Sequence, residues 1–410
     1  MMTLSNTIEL GATLRDHISA HLPGIWPGYA VTPFMLYNDA FQVAVGDQWP
    51  SRFQEAQPGI FVAQGTDPQL MGSTALMYDN RMIAIWDTRS WSNTPDTAIA
   101  AGGIAHEMFH AYQMAHQWHY SNDAILCAYP HSTESTTLVL AENTLLADTL
   151  HANDADLRIL LTQLARLRTQ RTVMIGDVYM EYDMRVESME GTAAFVEICM
   201  QAAVSGQTHA ICGQRYADML QKTDDLLKRY RHRCYAAGLM LCLAADRLVP
   251  DWRSCWNGTM SPLFTWLMDE THINAAETNE ALIPLQQLQQ ASVLVNAYRQ
   301  ENQAALDEYI TQPTITLEGN LALTGFDPMN IVCVGNRCLH IHGRVRLGDQ
   351  AFLLEQPFME VFDSTVFTPR SFIMRGSVTV VDATHFTVDG LGTFAGTVTE
   401  NESGPLCRIV

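Results

Sequence analysis

The chain has 410 residues, of which 47% are hydrophobic and 17% are charged, and its formal net charge at pH 7 is -20. This charge argues against a nucleic acid or an anionic membrane as partner, because binding phosphate groups depends on lysine and arginine, which are in the minority here. The length exceeds that of most single domains, so we expect two domains or one large bilobal unit.

Composition also bears on location. The chain contains no run of about eighteen uncharged apolar residues, and residues 1–22 mix charged with apolar positions, unlike a secretory signal. The 9 cysteines are odd in number and scattered, which suits a reducing compartment. We therefore expect a soluble, cytoplasmic protein without a membrane partner.

The N-terminal part predicts one helix and a small sheet. Residues 4–22 have a helical pattern, and short β-like runs bounded by turn residues follow. Asp79 and Asn80 predict a hairpin, and its second strand, over residues 81–87, is either an edge to which an extended peptide could add by backbone hydrogen bonds or simply a buried strand. Ser92, followed by Pro95, predicts the start of the next helix.

Helical patterns dominate the middle of the chain and end abruptly. They cover residues 132–171 with a break near Asn153, then 178–203, 213–231, 234–248 and onward to about 309. From residue 314 the pattern alternates like strands, with turn residues at 319–320, 335–336, 348–349 and 389–390.

The expected fold class is α+β, with two domains. Residues 1–311 would form a mostly helical, zincin-like metallopeptidase domain, with a small sheet within 1–92 and a helical part over 93–311. Residues 312–410 would form a small antiparallel all-β domain.

One motif carries more chemistry than any other. Residues 104–113 read I-A-H-E-M-F-H-A-Y-Q, which contains a HExxH motif within a helical pattern. Four residues of α-helix turn through about 400° and rise about 6 Å, so His106 and His110 project from one face toward a single cation. Glu107 lies one step round the helix, where it can reach water without binding the metal. The pattern indicates a zinc hydrolase rather than a chance match.

A catalytic zinc usually takes three protein ligands, so a third is needed. His116 would nearly complete the motif HExxHxxGxxH of the metzincins. Gln113 stands where that motif has the glycine at which the chain turns back toward the metal. On a continuous helix His116 would lie about 9 Å beyond His110 and on another face, so we expect it to be a surface residue.

The better candidate is Glu190, which begins the run E-G-T-A-A-F-V-E. The small residues Gly191, Ala193 and Ala194 would let this helix pack closely on the HExxH helix and bring the carboxylate to the metal. A HExxH motif followed by a helix of the form E-G-x-A-x-F-x-E resembles the gluzincin metallopeptidases, the thermolysin-like and aminopeptidase-like group.

The resemblance implies one zinc per chain on His106, His110 and Glu190, with Glu107 as the general base. It covers roughly residues 75–255 and does not extend to the C-terminal strands. Eighty residues separate His110 from Glu190, more than in thermolysin-like enzymes, so the helices between them are an insertion of unknown purpose.

Further site residues are expected around these ligands. Glu187 and Glu197 lie near the helical face of Glu190, and either could accept the free N–H of a ligand histidine. Glu187 is also the fallback third ligand. Gluzincins usually draw a tyrosine or histidine from a downstream helix to stabilise the oxyanion, so Tyr235, with His232 as the reserve, is expected in that role.

The C-terminal part contains a second group of interest. The hairpin turn at 335–336 places Cys333 directly across from Cys338. The strand then presents Cys338, His340 and His342 on one face. The two cysteines could pair or bind a second metal ion, and the sequence leaves both alternatives open.

The sequence thus predicts a zinc-dependent metallopeptidase that acts on peptides or proteins. The alternative is a zinc-binding scaffold or partner-binding protein with a peptidase-like fold and little turnover. Cleavage preference and oligomeric state do not follow from the residues.

Overall fold

A computed structural model describes residues 2–91, 93–274, 285–328, 330–363, 368–401 and 404–410. It has α+β architecture, in which a sheet and a helical region are followed by a C-terminal all-β region. The helices, in chain order, are α1 Leu4–His21, α2 Thr97–Ala115, α3 Thr133–Thr149, α4 Asp154–Ile175, α5 Asp177–Ser205, α6 His209–Gln221, α7 Tyr230–Leu248, α8 Trp252–Cys255, α9 Leu263–Glu270 and α10 Leu285–Ile310.

The described strands form three sheets. The first belongs to the N-terminal part and consists of β1 Phe34–Tyr37, β2 Phe41–Val45, β3 Gln54–Gln57, β4 Ile60–Gln64, β5 Thr74–Tyr78 and β6 Arg81–Asp87. Its strand order is β3-β4-β2-β1-β6-β5. One face packs against the helices around Phe34, Leu36 and Val43, and the other face carries its own apolar cluster around Met35 and Ile85.

The other two sheets make up the C-terminal region. Their strands are β7 Thr314–Gly319, β8 Leu321–Phe326, β9 Ile331–Val334, β10 Arg337–His340, β11 Gly343–Leu347, β12 Gln350–Leu354, β13 Phe358–Phe362, β14 Pro369–Arg375, β15 Val378–Val380, β16 His385–Val388, β17 Gly392–Asn401 and β18 Gly404–Ile409. The larger sheet has the order β15-β16-β17-β18-β7-β14-β13-β10-β9, and the smaller has the order β12-β11-β8.

The sequence predicted a purely antiparallel region, but the structure contains one parallel pair of strands. The last strand, β18, runs parallel to the first, β7. A local alternation pattern identifies strands but not the direction in which a distant strand returns. The region has its own core, which includes Phe358 and Phe372. It also packs on α10 through Leu306 and Tyr309.

The predicted hairpin is confirmed, and its second strand is a buried strand of the sheet, not an edge. Asp79 and Asn80 have positive φ values of 48° and 61° and join β5 to β6, as a two-residue hairpin turn requires. However, β6 lies inside the sheet, because it pairs parallel with β1 and antiparallel with β5. The edges of this sheet, among the described strands, are β3 and β5. Ile83 and Ile85 of β6 are completely buried, as expected of an interior strand.

Two predicted helix boundaries also differ. Helix α2 begins at Thr97, where Asp96 accepts the backbone N–H groups of Ala98 and Ile99. The predicted start at Ser92 lies outside the described residues.

The helix predicted over residues 213–231 ends at Gln221, and α7 begins at Tyr230. Leu226 and Leu227 lie between them in a non-helical turn and are still buried. Their burial explains why the apolar periodicity of the sequence continues through this turn.

Helix α5 lies between α2 and α7, and glycines allow both approaches. A Cβ at Gly102 of α2 would lie 2.9 Å from the carbonyl oxygen of Glu197 on α5. Gly191 of α5 and Gly238 of α7 are in backbone contact, with no space for a Cβ on either. The prediction that Gly191 faces the HExxH helix is therefore wrong, since it faces α7. Periodicity identifies a face with small residues but not the helix that covers it.

Among the described helices, none combines the length and the apolar character that crossing a membrane requires.

We expect Gly238→Ala to lower the free energy of unfolding by at least about 2 kcal/mol, because its Cβ would overlap the carbonyl oxygen of Glu187 and force α5 and α7 apart. The matched control is Gly213→Ala in α6, where the nearest atoms lie at 3.6 Å or more. The control should be neutral or stabilising by up to about 1 kcal/mol, since alanine favours helix. Urea denaturation measures both. Equal stability of the two variants would contradict the close crossing.

Candidate metal centre

Three side-chain atoms from two helices meet at one point. Helix α2 supplies His106 and His110, whose Nε2 atoms lie 3.1 Å apart. Helix α5 supplies Glu190, whose Oε2 lies 3.6 Å from His106 Nε2 and 3.2 Å from His110 Nε2. The three residues are only 6%, 9% and 3% exposed, in that order. The third ligand predicted from the sequence is thus beside the two histidines.

The spacing of these atoms suits a zinc ion. Tetrahedral ligands at about 2.1 Å from zinc lie about 3.4 Å from one another. The three observed separations, 3.1, 3.2 and 3.6 Å, bracket that value. Two imidazoles and one carboxylate are also ligands that zinc commonly takes when it keeps a further position open.

The outer ring nitrogen of each histidine, Nδ1, has a hydrogen-bond acceptor. Nδ1 of His106 lies 3.2 Å from Oε2 of Glu197, and Nδ1 of His110 lies 2.7 Å from Oε1 of Gln113. The amide of Gln113 is oriented by its Nε2, which donates to the carbonyl oxygen of Met189 at 2.8 Å. Since that carbonyl can only accept, Oε1 of Gln113 must face His110. Both histidines therefore donate through Nδ1.

In the neutral histidines this tautomer leaves a lone pair on each Nε2 atom, and both lone pairs point toward the same centre. Oε2 of Glu190 is buried there without a hydrogen-bond donor among the described residues. Three electron-rich atoms within 3.6 Å of one another repel unless a cation lies between them. Outer acceptors of this kind also fix ligand histidines in metal sites. The arrangement can therefore hold a divalent cation.

The electrostatics favour positive charge at the same point. Burial disfavours the charged form of His106, but the adjacent carboxylates of Glu190 and Glu197 outweigh burial and raise the pKa of His106 to about 10 in the metal-free protein. Burial likewise disfavours the ionised form of Glu190, yet His110 and Arg231 hold the pKa of Glu190 well below its ordinary value. The carboxylates thus stabilise a cation here.

Glu107 follows His106 in the chain and interacts electrostatically with His106, His110 and Glu190, but it is not one of the three potential ligands. Burial raises the pKa of its carboxyl group, and the adjacent His106 and His110 oppose that rise. A carboxylate with a raised pKa accepts a proton more readily near neutral pH. This is the property that the predicted general base needs.

The two predicted oxyanion donors are both close to the centre. The ring of Tyr235 stacks on that of His106, with centroids 5.9 Å apart and planes at 8°. The ring of His232 lies 5.9 Å from that of Tyr235. Burial, with the nearby Arg229 and Arg231, lowers the pKa of His232. Tyr235 is the one in direct contact with the ligand shell.

Arg231 is a site residue that the sequence analysis missed. Its Nη2 lies 2.8 Å from Oε1 of Glu190, and its Nη1 donates to the hydroxyl of Tyr235 at 2.8 Å. Its Nε lies 3.1 Å from Oδ1 of Asp123. The misplaced helix boundary concealed this role. Once α7 is known to begin at Tyr230, the four-residue spacing of Arg231 and Tyr235 places them on one helical face.

Glu187 has neither of its predicted roles. It is an acceptor for Arg168 at 2.8 Å and for Arg233 at 3.0 Å, and it is buried away from the histidines. Glu197, in contrast, contacts Nδ1 of His106, as expected. His116 is exposed at the end of α2, with Nδ1 2.8 Å from the carbonyl oxygen of Tyr112, and lies outside the metal-ligand group.

Comparisons of the chain with models of protein families, with curated proteins and with solved structures found no match. The assignment of this centre therefore rests on its geometry.

We expect Glu190→Ala to lose any zinc that the wild type binds at this centre, because two histidines alone provide an incomplete ligand set. His116→Ala should retain it, since His116 lies elsewhere. Elemental analysis after dialysis against a weak chelator compares them. Zinc lost from His116→Ala and kept by Glu190→Ala would indicate a different third ligand.

A second prediction concerns Gln113. Gln113→Leu keeps the side-chain size but removes the acceptor for His110 Nδ1, so zinc affinity should fall about 10- to 100-fold. Competition with a fluorescent chelator measures this change, and circular dichroism checks that the helices remain. An unchanged affinity in a folded variant would show that Gln113 does not orient His110.

Proposed function

We propose that the protein is a zinc-dependent metallopeptidase that hydrolyses peptide bonds. The observation that supports this proposal most strongly is the convergence of His106, His110 and Glu190 with both outer histidine nitrogens held by acceptors. Glu107, which follows His106 in the same motif, is the proposed base. The same four residues carry the resemblance to gluzincins, and a zincin-like fold is part of the proposal.

When bound, zinc supplies Lewis-acid polarisation of a carbonyl group and lowers the pKa of water. The role of Glu107 is to take a proton from the attacking water and deliver it to the leaving amine. Burial raises the pKa of this carboxyl group, which brings it closer to neutral pH and suits both halves of that transfer.

Tyr235 and Arg231 act together on the developing negative charge. Arg231 donates to the oxygen of Tyr235, so the phenol proton points in another direction. Burial raises the pKa of Tyr235 well above its ordinary value, and the phenol remains protonated as a donor. The neighbouring guanidinium adds positive charge in a site of low polarity, where such charge is most effective.

Substrate access is proposed from the side of α7. A small cavity of about 20 Å³ lies between the start of α7 and the C-terminal region, and Arg231, Pro328 and Ile331 are among its lining residues. Arg231 thus contacts both this cavity and the ligand Glu190. The edge strand β5 is one place in the N-terminal sheet at which an extended peptide could add.

A partner-binding protein with the same zinc group and little turnover is the second candidate. The low exposure of the three ligands favours it, because a closed site leaves little room for a substrate at the metal. The intact base Glu107 favours the peptidase.

We expect Glu107→Gln to retain zinc and fold while losing about 10²- to 10⁴-fold in cleavage rate, the usual contribution of a general base. Wild type and variant are incubated with a mixed peptide library, and the products are identified by mass spectrometry. Glu134→Gln, on the exposed first turn of α3, is the matched control and should cleave like wild type.

Three results separate the candidates. Cleavage that depends on Glu107 supports the peptidase. Zinc binding without cleavage by the wild type supports the partner-binding protein. Cleavage that is undiminished in Glu107→Gln would contradict the proposed mechanism.

A further inference from the structure

Three cysteine sulfurs from two parts of the fold meet at a second point. Cys127 belongs to the 3₁₀-helix Asp123–Ala128, which follows α2. Cys333 and Cys338 belong to β9 and β10. The three sulfurs lie within 4.8 Å of one another. Cys333 and Cys338 form a disulfide, and Cys127 is a free thiol.

We propose that, once the disulfide is reduced, these three sulfurs form a second metal site for a thiophilic cation such as Zn²⁺. The site would fasten the segment beside the main metal centre to the C-terminal strands. It is independent of the peptidase assignment, because none of its ligands belongs to the main centre.

The hairpin keeps two of the ligands in place without the disulfide. Cys338 is directly opposite Cys333 in the β9–β10 register, so both side chains lie on one face. Gly335 in the connecting turn has a φ of 60°, which suits a tight two-residue hairpin. In a tetrahedral zinc site with Zn–S bonds of about 2.3 Å, sulfurs lie about 3.8 Å apart. Small side-chain rotations therefore suffice.

A buried carboxylate lies next to the sulfurs. Glu360 on β13 is directly opposite Cys338 and is fully buried. Its Oε2 lies 3.1 Å from Nε2 of His340, while its Oε1 is buried with no hydrogen-bond partner among the described residues. A divalent cation would compensate the negative charge of Glu360 and displace the thiol protons.

The required chemistry balances with one named co-reactant. A dithiol reductant transfers two electrons and two protons to the disulfide, which breaks the S–S bond and gives two thiols. Binding of Zn²⁺ by three thiols then forms three Zn–S bonds and releases three protons. The remaining cysteines of the chain, all within the described residues, are free thiols, a state that such reducing conditions would preserve.

The position of Cys127 gives this site a structural connection to the main centre. Asp123 begins the same 3₁₀-helix and contacts Arg231, which in turn contacts Glu190. A cation on the three sulfurs would hold this helix against β9 and β10. The second site would thereby stabilise the surroundings of the first.

Cobalt titration tests the proposal without relying on activity. Metal-free protein, reduced with a phosphine and freed of excess reductant under anaerobic conditions, is titrated with Co²⁺. We expect two cobalt ions per chain and an intense near-ultraviolet thiolate-to-cobalt absorption. Cys127→Ser should lose that absorption and one cobalt, and Cys333→Ser should do the same. The matched control Cys255→Ser, at an exposed free cysteine, should behave like wild type.

A variant of the main centre completes the test. His106→Ala should lose one cobalt and keep the thiolate absorption. Binding of one cobalt per chain without thiolate absorption in the reduced wild type would overturn the proposal. Thiolate absorption that survives in folded Cys127→Ser, with circular dichroism as the check of folding, would also overturn it, because the hairpin alone would then account for the site.

Discussion

The close crossing of three helices is the constraint on which the centre depends. Helix α5 can bring Glu190 to the two histidines of α2 only if it approaches α2 on one side and α7 on the other. Gly102 permits the first approach, and the backbone contact of Gly191 with Gly238 permits the second. The same crossing places Tyr235 over His106. The ligands and the proposed oxyanion donor are therefore positioned by packing between backbones, which is more rigid than placement on loops.

A buried charge network behind the centre gives the long insertion between His110 and Glu190 a structural role. Its bases are Arg168 and Arg171 of α4 with Arg233 of α7, and its acids are Glu142 of α3 with Asp183 and Glu187 of α5. All six are buried. Removing one partner from such a network typically costs about 3–5 kcal/mol, because a charge is left buried and unpaired. The inserted helices α3 and α4 thus supply partners for charges on α5, which carries Glu190, and on α7, which carries Tyr235.

Negative charge around the centre has a direct consequence for its chemistry. Glu107, Glu190 and Glu197 are all close to His106, and Arg231 and Arg215 each neutralise only one of these carboxylates by an ion pair. A metal cation would supply the remaining positive charge. The same reasoning applies at the cysteine cluster, where Glu360 is buried directly opposite Cys338. In a chain with a net charge of -20, buried carboxylates with incomplete partners are a useful guide to cation sites.

By itself, the sequence determined the features that depend on local geometry. Helical periodicity was enough to place His106 and His110 on one face, and two-residue turns were enough to set the hairpins at Asp79 and Cys333.

Tertiary structure decided the rest. Glu187 and Glu197 are both near the face of Glu190 by helical spacing, yet only Glu197 meets a histidine, because arginines of α4 and α7 surround Glu187. The contacts of Gln113 with Met189, of Arg231 with Asp123 and of Cys127 with the β9–β10 hairpin join residues 76 or more positions apart. Such contacts have no local pattern, since they arise from how separate elements pack.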